Sequence, residues 1–273
     1  MCATDPGTAA ATGLATERRG AVLVATLARP PVNAIDAAMV ARLDAVLADA
    51  EADPGVSLLH LRSVQKVFCA GADLALMRAC IAGPAGAETM VGVVRAMQRV
   101  FARLERAPFV TLAEIGGAAL GGGLELALAC DLRVAAQEAK LALPEVGLGL
   151  LPAAGGTQRL TTLCGPGVAR RLILGGEAID GVEAQHLGIV QWVRPAATIE
   201  EWTAQLAARI ASHPREALAA NKHCIALAVQ GSAAGYEAEI AATRTLYAVP
   251  QTQQRVAAFL DRPRTAAVKS RRT

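Results

Sequence analysis

Gly116-Gly117-Ala118-Ala119-Leu120-Gly121-Gly122-Gly123-Leu124-Glu125 follows directly on an apolar run, Val110–Ile115. The run reads as a strand that Gly116 and Gly117 end, and the three glycines lead into a short apolar helix around Leu124–Ala129. The glycines do not fit GxGxxG, and no GK[ST] follows, so the dinucleotide and P-loop fingerprints are missing. What remains is a glycine-lined helix start with Glu125 two residues inside it. A carboxylate there offsets the positive end of the helix. Set among apolar and small neighbours, it is also expected to have a raised pKa, which suits acid–base work.

Upstream, Ala21–Ala28 reads as a buried strand. Asp36 caps a helix whose Met39, Val40, Leu43, Val46 and Leu47 share a face. Asp53-Pro54-Gly55 turns the chain into a strand over Val56–Arg62. Met90, Val93, Val94, Met97, Val100, Phe101 and Leu104 mark a long amphipathic helix. Downstream, Leu132–Ala135 reads as a strand. From about Pro166 the pattern is nearly all helical, broken at Gly175-Gly176, His213-Pro214 and Pro250. The sum is one α/β domain with a helical C-terminal extension.

The 273 residues are 53% hydrophobic and 19% charged, enough apolar mass for a sizeable core. A net charge of +3 with 3% aromatics argues against a nucleic-acid partner. Six cysteines and four histidines are scattered without CxxC or HExxH spacing, so no metal site is expected. The start of the chain has no basic-then-apolar signal, and the apolar region Phe109–Cys130 carries Glu114 and Glu125, so no membrane span is expected. A reducing, cytoplasmic location fits. Glu114, inside an apolar strand, reads as a hydrogen-bonded structural carboxylate rather than a catalytic one. Asp131 and Arg133 read as a structural ion pair.

Two further segments carry candidate chemistry. Phe68-Cys69-Ala70-Gly71-Ala72-Asp73-Leu74 ends a strand in small residues, and Asp73 can start a helix. By itself this is a strand–helix turn; small side chains also let a ligand approach the main-chain N–H groups. Leu143-Pro144-Glu145-Val146-Gly147-Leu148-Gly149-Leu150-Leu151-Pro152-Ala153-Ala154-Gly155-Gly156-Thr157-Gln158-Arg159-Leu160 is a second glycine-rich stretch with one carboxylate. Taken singly, Glu145 reads as a loop residue.

Together, RPPVNAID (Arg29–Asp36), FCAGADL (Phe68–Leu74), ALGGGLELALACDLRVA (Ala119–Ala135) and LPEVGLGLLPAAGGTQRL (Leu143–Leu160) closely resemble the enoyl-CoA hydratase/isomerase, or crotonase, family. Their order and the 20-residue separation of the two glutamates match as well. The resemblance covers about Ala21 to Leu260. It implies a crotonase-like spiral of ββα units with a helical C-terminal region, assembled as a homotrimer or dimer of trimers. It also implies an acyl-CoA thioester substrate and no metal or redox cofactor, coenzyme A being part of the substrate. The expected organisation is a flexible arm over 1–16, the spiral core over 17–195, a helical trimerisation region over 196–262 and a basic tail over 263–273.

Position by position, the resemblance assigns the thioester-oxygen donors to the N–H groups of Ala72 and Gly122. It makes Glu125 the group that orients and deprotonates water, and Glu145 the group that delivers a proton to C2. Lys66, Phe68, Ala70, Asp73, Leu74 and Arg262 are expected along the substrate and its CoA half. Ala153 stands where glycine is common. Thr243 stands where many hydratases carry an aromatic residue, with Tyr247 one turn later. Both glutamates favour a hydratase. A Δ3,Δ2-enoyl-CoA isomerase using Glu145 alone is the alternative. A remoter alternative is an RNA-binding protein on this fold, for which the basic tail, Arg262 to Arg272 without an acid, is the sole feature; a solubilising end explains the tail as well.

Overall fold

In this computed structural model, residues 13–81, 84–229 and 234–260 are described. Two strands open the chain, β1 (Leu14–Arg19) and β2 (Val22–Leu27), paired antiparallel. Helix α1 (Ala37–Ala52) follows, then β3 (Leu58–Ser63), α2 (Leu74–Ile81) and α3 (Pro84–Arg106). Next come β4 (Val110–Ile115), β5 (Ala119–Leu120), α4 (Gly122–Leu128), β6 (Leu132–Ala136), β7 (Leu141–Ala142) and a 3-10 turn over Pro144–Leu148. The last elements are α5 (Gly156–Leu174), α6 (Gly181–His186), β8 (Trp192–Arg194), α7 (Ile199–Ala211), α8 (Arg215–Val229), α9 (Ala234–Ala248) and α10 (Pro250–Leu260).

The main sheet has six strands in the order β1-β2-β3-β4-β6-β8, parallel from β2 onward. A second, narrow layer is made of the β5–β7 pair and isolated bridges at Ile35–Ala72, Cys69–Ala119 and Leu141–Ile179. Each turn of the chain thus adds one strand to the main sheet and one short rung to the second layer. This is the expected α/β spiral of ββα units. A parallel sheet needs both faces covered, which explains the continuous apolar runs in its strands; all six residues of β4 are buried.

Helix α1 starts where Asp36 accepts a bond from Met39 N at 2.8 Å, and it buries Met39, Val40, Leu43, Val46 and Leu47, the face read from the sequence. On α3 the inner stripe is Met97, Val100, Phe101 and Leu104. Helix α5 contains a kink at Gly165, ahead of Pro166.

Three expectations change. Leu14, placed in a loose arm over 1–16, is fully buried and opens β1, so residues 14–16 belong to the sheet; residues 1–12 lie outside the described residues. The nearly all-helical region contains β8, whose three residues are too few to show a period and take their place from pairing with β6. The compact units divide at Ala219/Ala220 rather than at 195/196. Helix α7 belongs with the first unit because it buries Ile199, Thr203, Leu206 and Ala207 against β3, β4 and β6. The second unit, Ala220–Thr273, holds most of α8 with α9 and α10. The tail over 263–273 lies outside the described residues. Among the described residues no helix is long and apolar enough to cross a membrane.

Glu114 is 4% exposed and its Oε2 lies 3.0 Å from His60 Nε2. Arg62 Nε is 3.7 Å from its other oxygen and also pairs with Glu200. The carboxylate is thus part of a charge cluster beneath α7. Asp131 and Arg133 each find separate partners. Arg133 donates to the carbonyls of Ile189, Ala127 and Cys130, and Asp131 accepts from Thr111 N and Oγ1.

Candidate active site

The second layer brings the three motifs to one place. The Ile35–Ala72 bridge is closed by Ile35 N donating to Gly71 O at 2.8 Å and Asp73 N donating to Ile35 O at 3.0 Å. Both bonds use the residues either side of Ala72, so the Ala72 N–H points away from the bridge. The neighbouring rung, Leu120 N to Cys69 O at 3.0 Å, carries the chain into α4. Gly122 is the first residue of that helix, where an N–H has no intrahelical acceptor. Neither N–H has an acceptor among the described residues.

The two donors are close. A Cβ placed on Gly122 would lie 3.7 Å from Ala72 N, 3.5 Å from Ile35 Cδ1 and 3.1 Å from Met97 Cε. Ile35 and Met97 therefore wall this corner. The sequence pattern marked Met97 on an apolar helix face and held Ile35 in the RPPVNAID motif, without a sign that they flank the donors. Gly123 packs tighter still: a Cβ there would be 2.1 Å from Cys69 O.

Glu125 sits on the buried face of α4 at 3% exposure. Its Oε1 accepts from Gly156 N, at the start of α5, at 2.7 Å. Burial pushes its carboxyl up to about 7; the Gly156 N–H opposes that, Glu145 raises it further, and Ala154 N–H and Arg159 pull it back. Sequence reasoning missed that donor; a Cβ on Gly156 would lie 2.9 Å from Pro152 Cβ and 3.0 Å from Glu125 Cγ, so only a residue without a side chain fits there. The Ala153 carbonyl accepts from Gln98 Nε2 at 2.6 Å.

Glu145 comes from the 3-10 turn after β7. A Cβ on Gly121, whose φ is 51°, would lie 2.7 Å from Glu145 Oε1, so the carboxyl reaches the start of α4. Its Oε2 is buried with no partner among the described residues, and burial raises its pKa. Both carboxyls have raised pKa and Glu145 influences Glu125; Glu145 reaches the start of α4, whose Gly122 N–H has no acceptor among the described residues, and Glu125 projects from that same helix. They make a carboxyl pair next to a main-chain donor. The pair can hold a small polar molecule, take a proton from it and give one back.

The remaining expected residues are placed as follows. Phe68 is fully buried, so its side chain packs in the core rather than touching a ligand. Ala70 is half-buried and donates to Val32 O at 3.0 Å. Asp73 is occupied: it accepts from Arg29 Nη2 at 2.7 Å and from the N–H groups of Ala75 and Leu76, capping α2. The Arg29 guanidinium, foremost, holds Asp73 below the usual carboxylate range. A structural role thus replaces the expected ligand contact. Leu74 is 76% exposed at the head of a groove along α2. Lys66 is exposed on a separate cleft of about 310 Å3, shared with Gly117, Glu138 and Lys140. Thr243 bonds back to Glu239 O within its own helix. Arg262 and the Tyr247 side chain lie outside the described residues. Among the described residues no group of three or more His, Cys, Asp or Glu side chains is arranged to hold a metal ion.

The raised value at Glu125 makes a stability prediction. An unfolded glutamate titrates near 4.5, the folded one at about 7. Between those values the folded state binds more protons, so stability falls as pH rises through that window. Glu125→Gln removes this loss. At pH 8 the variant is expected to be more stable than the parent by about 3 kcal/mol, and the difference should vanish near pH 4. Urea midpoints at the two pH values check it.

The sequence profile of the enoyl-CoA hydratase/isomerase family matches residues 17–265. The chain is 34% identical over 263 residues to a 2,3-dehydroadipyl-CoA hydratase of Escherichia coli, covering 94% of this chain and 99% of that one. It is 32% identical over 260 residues to a short-chain-enoyl-CoA hydratase of Clostridium acetobutylicum, covering 93% and 97%. Among solved structures, an enoyl-CoA hydratase from Bacillus anthracis is similar with a TM-score of 0.85 at 31% identity, over 91% of this chain and 96% of that one. DspI of Pseudomonas aeruginosa gives 0.83 at 34%, over 91% and 94%.

Proposed function

Because the chain belongs to the enoyl-CoA hydratase/isomerase family, we propose that it adds water across the C2=C3 bond of a trans-2-enoyl-CoA thioester. The observation that carries this reading is the pair Glu125 and Glu145, both with raised pKa, together with the N–H groups of Ala72 and Gly122, which have no acceptor among the described residues.

In this reading the thioester oxygen accepts from the two N–H groups. As water attacks C3, the C2=C3 electrons move toward the carbonyl, and negative charge gathers on that oxygen. Fixed main-chain dipoles in a buried site stabilise it without reorganising; one such donor contributes on the order of 3 kcal/mol. Water's oxygen bonds to C3 while its proton passes to Glu125. Glu145 gives a proton to C2 as the enolate collapses. The product is the 3-hydroxyacyl thioester, and the pair ends with the same single proton on the other carboxyl. Holding the water between two carboxyls removes much of its ordering entropy from the barrier. The competent pair carries one proton, so the rate should fall on both sides of an optimum, and the limits belong to the pair. Hydration is redox-neutral, so the reading calls on no redox cofactor. The homotrimer or dimer of trimers stands with it as a proposal, supported by the exposed Val146, Leu148, Leu150 and Leu151 beside Glu145.

The test is loss of enoyl-thioester absorbance on mixing the protein with trans-2-enoyl-CoA esters of graded chain length, with product analysis. We expect a 3-hydroxyacyl-CoA from at least one of them. Conversion of a 3-enoyl-CoA without hydration of any 2-enoyl ester would replace this reading with the isomerase.

A further inference from the structure

A groove of about 490 Å3 runs along α2, bordered by Leu74, Ala75, Arg78 and Ala79. Leu74 and Arg78, like Ala75 and Ala79, are one helical turn apart, so the four share a face. The helix begins directly after the Ala72 donor. At about 1.5 Å per residue, Arg78 lies roughly 6 Å along the axis from Leu74, the first helical residue. The groove therefore leads away from the point where the thioester oxygen is held.

Arg78 is exposed, and it has no ion-pair or hydrogen-bond partner among the described residues. Two acids linked to the start of α2 are already neutralised. Asp73 and Asp36 both pair with Arg29, at 2.7 and 3.1 Å. A guanidinium stays charged at all relevant pH and presents a planar fork of donors suited to carboxylates and phosphates. Leu74, 76% exposed, adds an apolar contact at the near end. A cation in the last turn of a helix also complements the helix dipole, but that role needs no groove and no partnerless fork.

We propose that Arg78 is a specificity-determining residue that receives an anionic group of the bound thioester along this groove. The inference rests on the reading of the site as an acyl-CoA site. Such a ligand offers two anions of the required chemistry, a phosphate of the coenzyme half and a carboxylate at the far end of a dicarboxylic acyl chain.

The experiment compares the parent protein, Arg78→Ala and Arg78→Lys on crotonyl-CoA, 2,3-dehydroadipyl-CoA and crotonyl-pantetheine, which lacks the phosphates. Arg78→Ala should raise KM tenfold or more with kcat kept, and Arg78→Lys should recover part of the loss. A rise for both CoA esters but not for the pantetheine ester identifies a phosphate. A rise for the dehydroadipyl ester alone identifies the carboxylate. KM unchanged for all three, or raised equally for all three, overturns the proposal. If the parent hydrates none of them, the hydratase reading fails separately, and the same comparison is read as Kd by calorimetry. An Arg78→Ala protein that binds all three as the parent does then overturns the Arg78 role.

Discussion

Glu125→Gln and Glu145→Gln are each expected to lose hydration of a trans-2-enoyl-CoA by about 10²- to 10⁴-fold, with thioester binding retained. An amide keeps the shape and one acceptor oxygen, but it exchanges no proton at neutral pH. In Glu125→Gln the Gly156 N–H can still donate to the amide oxygen, so the geometry around α5 persists. The ester should still bind because its oxygen meets main-chain donors. The symmetry of the loss is the informative part. An isomerase that shuttles one proton between C2 and C4 on Glu145 would lose activity in Glu145→Gln and keep much of it in Glu125→Gln. A Glu125→Gln protein that hydrates at near the parental rate sinks the two-glutamate mechanism. The same substitution should raise stability at pH 8, so the inactive protein is the sturdier one, as expected where function holds a carboxyl in an unfavourable place.

The second large effect is on the fold. Gly123→Ala would put a Cβ 2.1 Å from Cys69 O, a main-chain atom that cannot swing aside. The clash falls on the rung that joins the Ala72 segment to the Gly122 segment. We expect a loss of about 3 kcal/mol or more, the upper range for overpacking, together with loss of turnover. Gly92→Ala on α3 is the matched control. A Cβ there meets nothing within 4 Å, and alanine should stabilise the helix by about 0.5–1 kcal/mol. Urea unfolding of both variants checks the opposite signs. A Gly123→Ala protein as stable as the parent would mean that the two segments can move apart.

Much of this was legible in the sequence where a local pattern and the tertiary demand agree. The α1 face and its Asp36 cap were readable because helix period and capping chemistry act within one segment. The strand over Val110–Ile115 was readable because a strand buried on both sides is apolar throughout. Failures share one cause. Leu14 and Trp192–Arg194 become strands only through pairing with β2 and β6, and so few residues carry no period. The site followed the same rule. Glu125 and Glu145 stood out as carboxylates among apolar residues. Ile35 and Met97 look like any other core positions, and their place beside Gly122 follows only from how the segments stack. Asp73 shows the converse. Its motif marked it for the ligand, but Arg29, 44 residues earlier, claims it.

The two donors that would hold the thioester oxygen belong to residues 72 and 122, and no local segment contains both. They meet only after two helices, α2 and α3, have been threaded between them, β4 has been laid into the main parallel sheet and β5 into the second layer. Such long-range closure comes late, because the entropy of the loop is lost before the contact is gained. Activity is therefore a reporter of completed folding. During refolding, helical signal should return well before turnover does, and a chain released short of Gly122 would hold half a binding site and no catalyst.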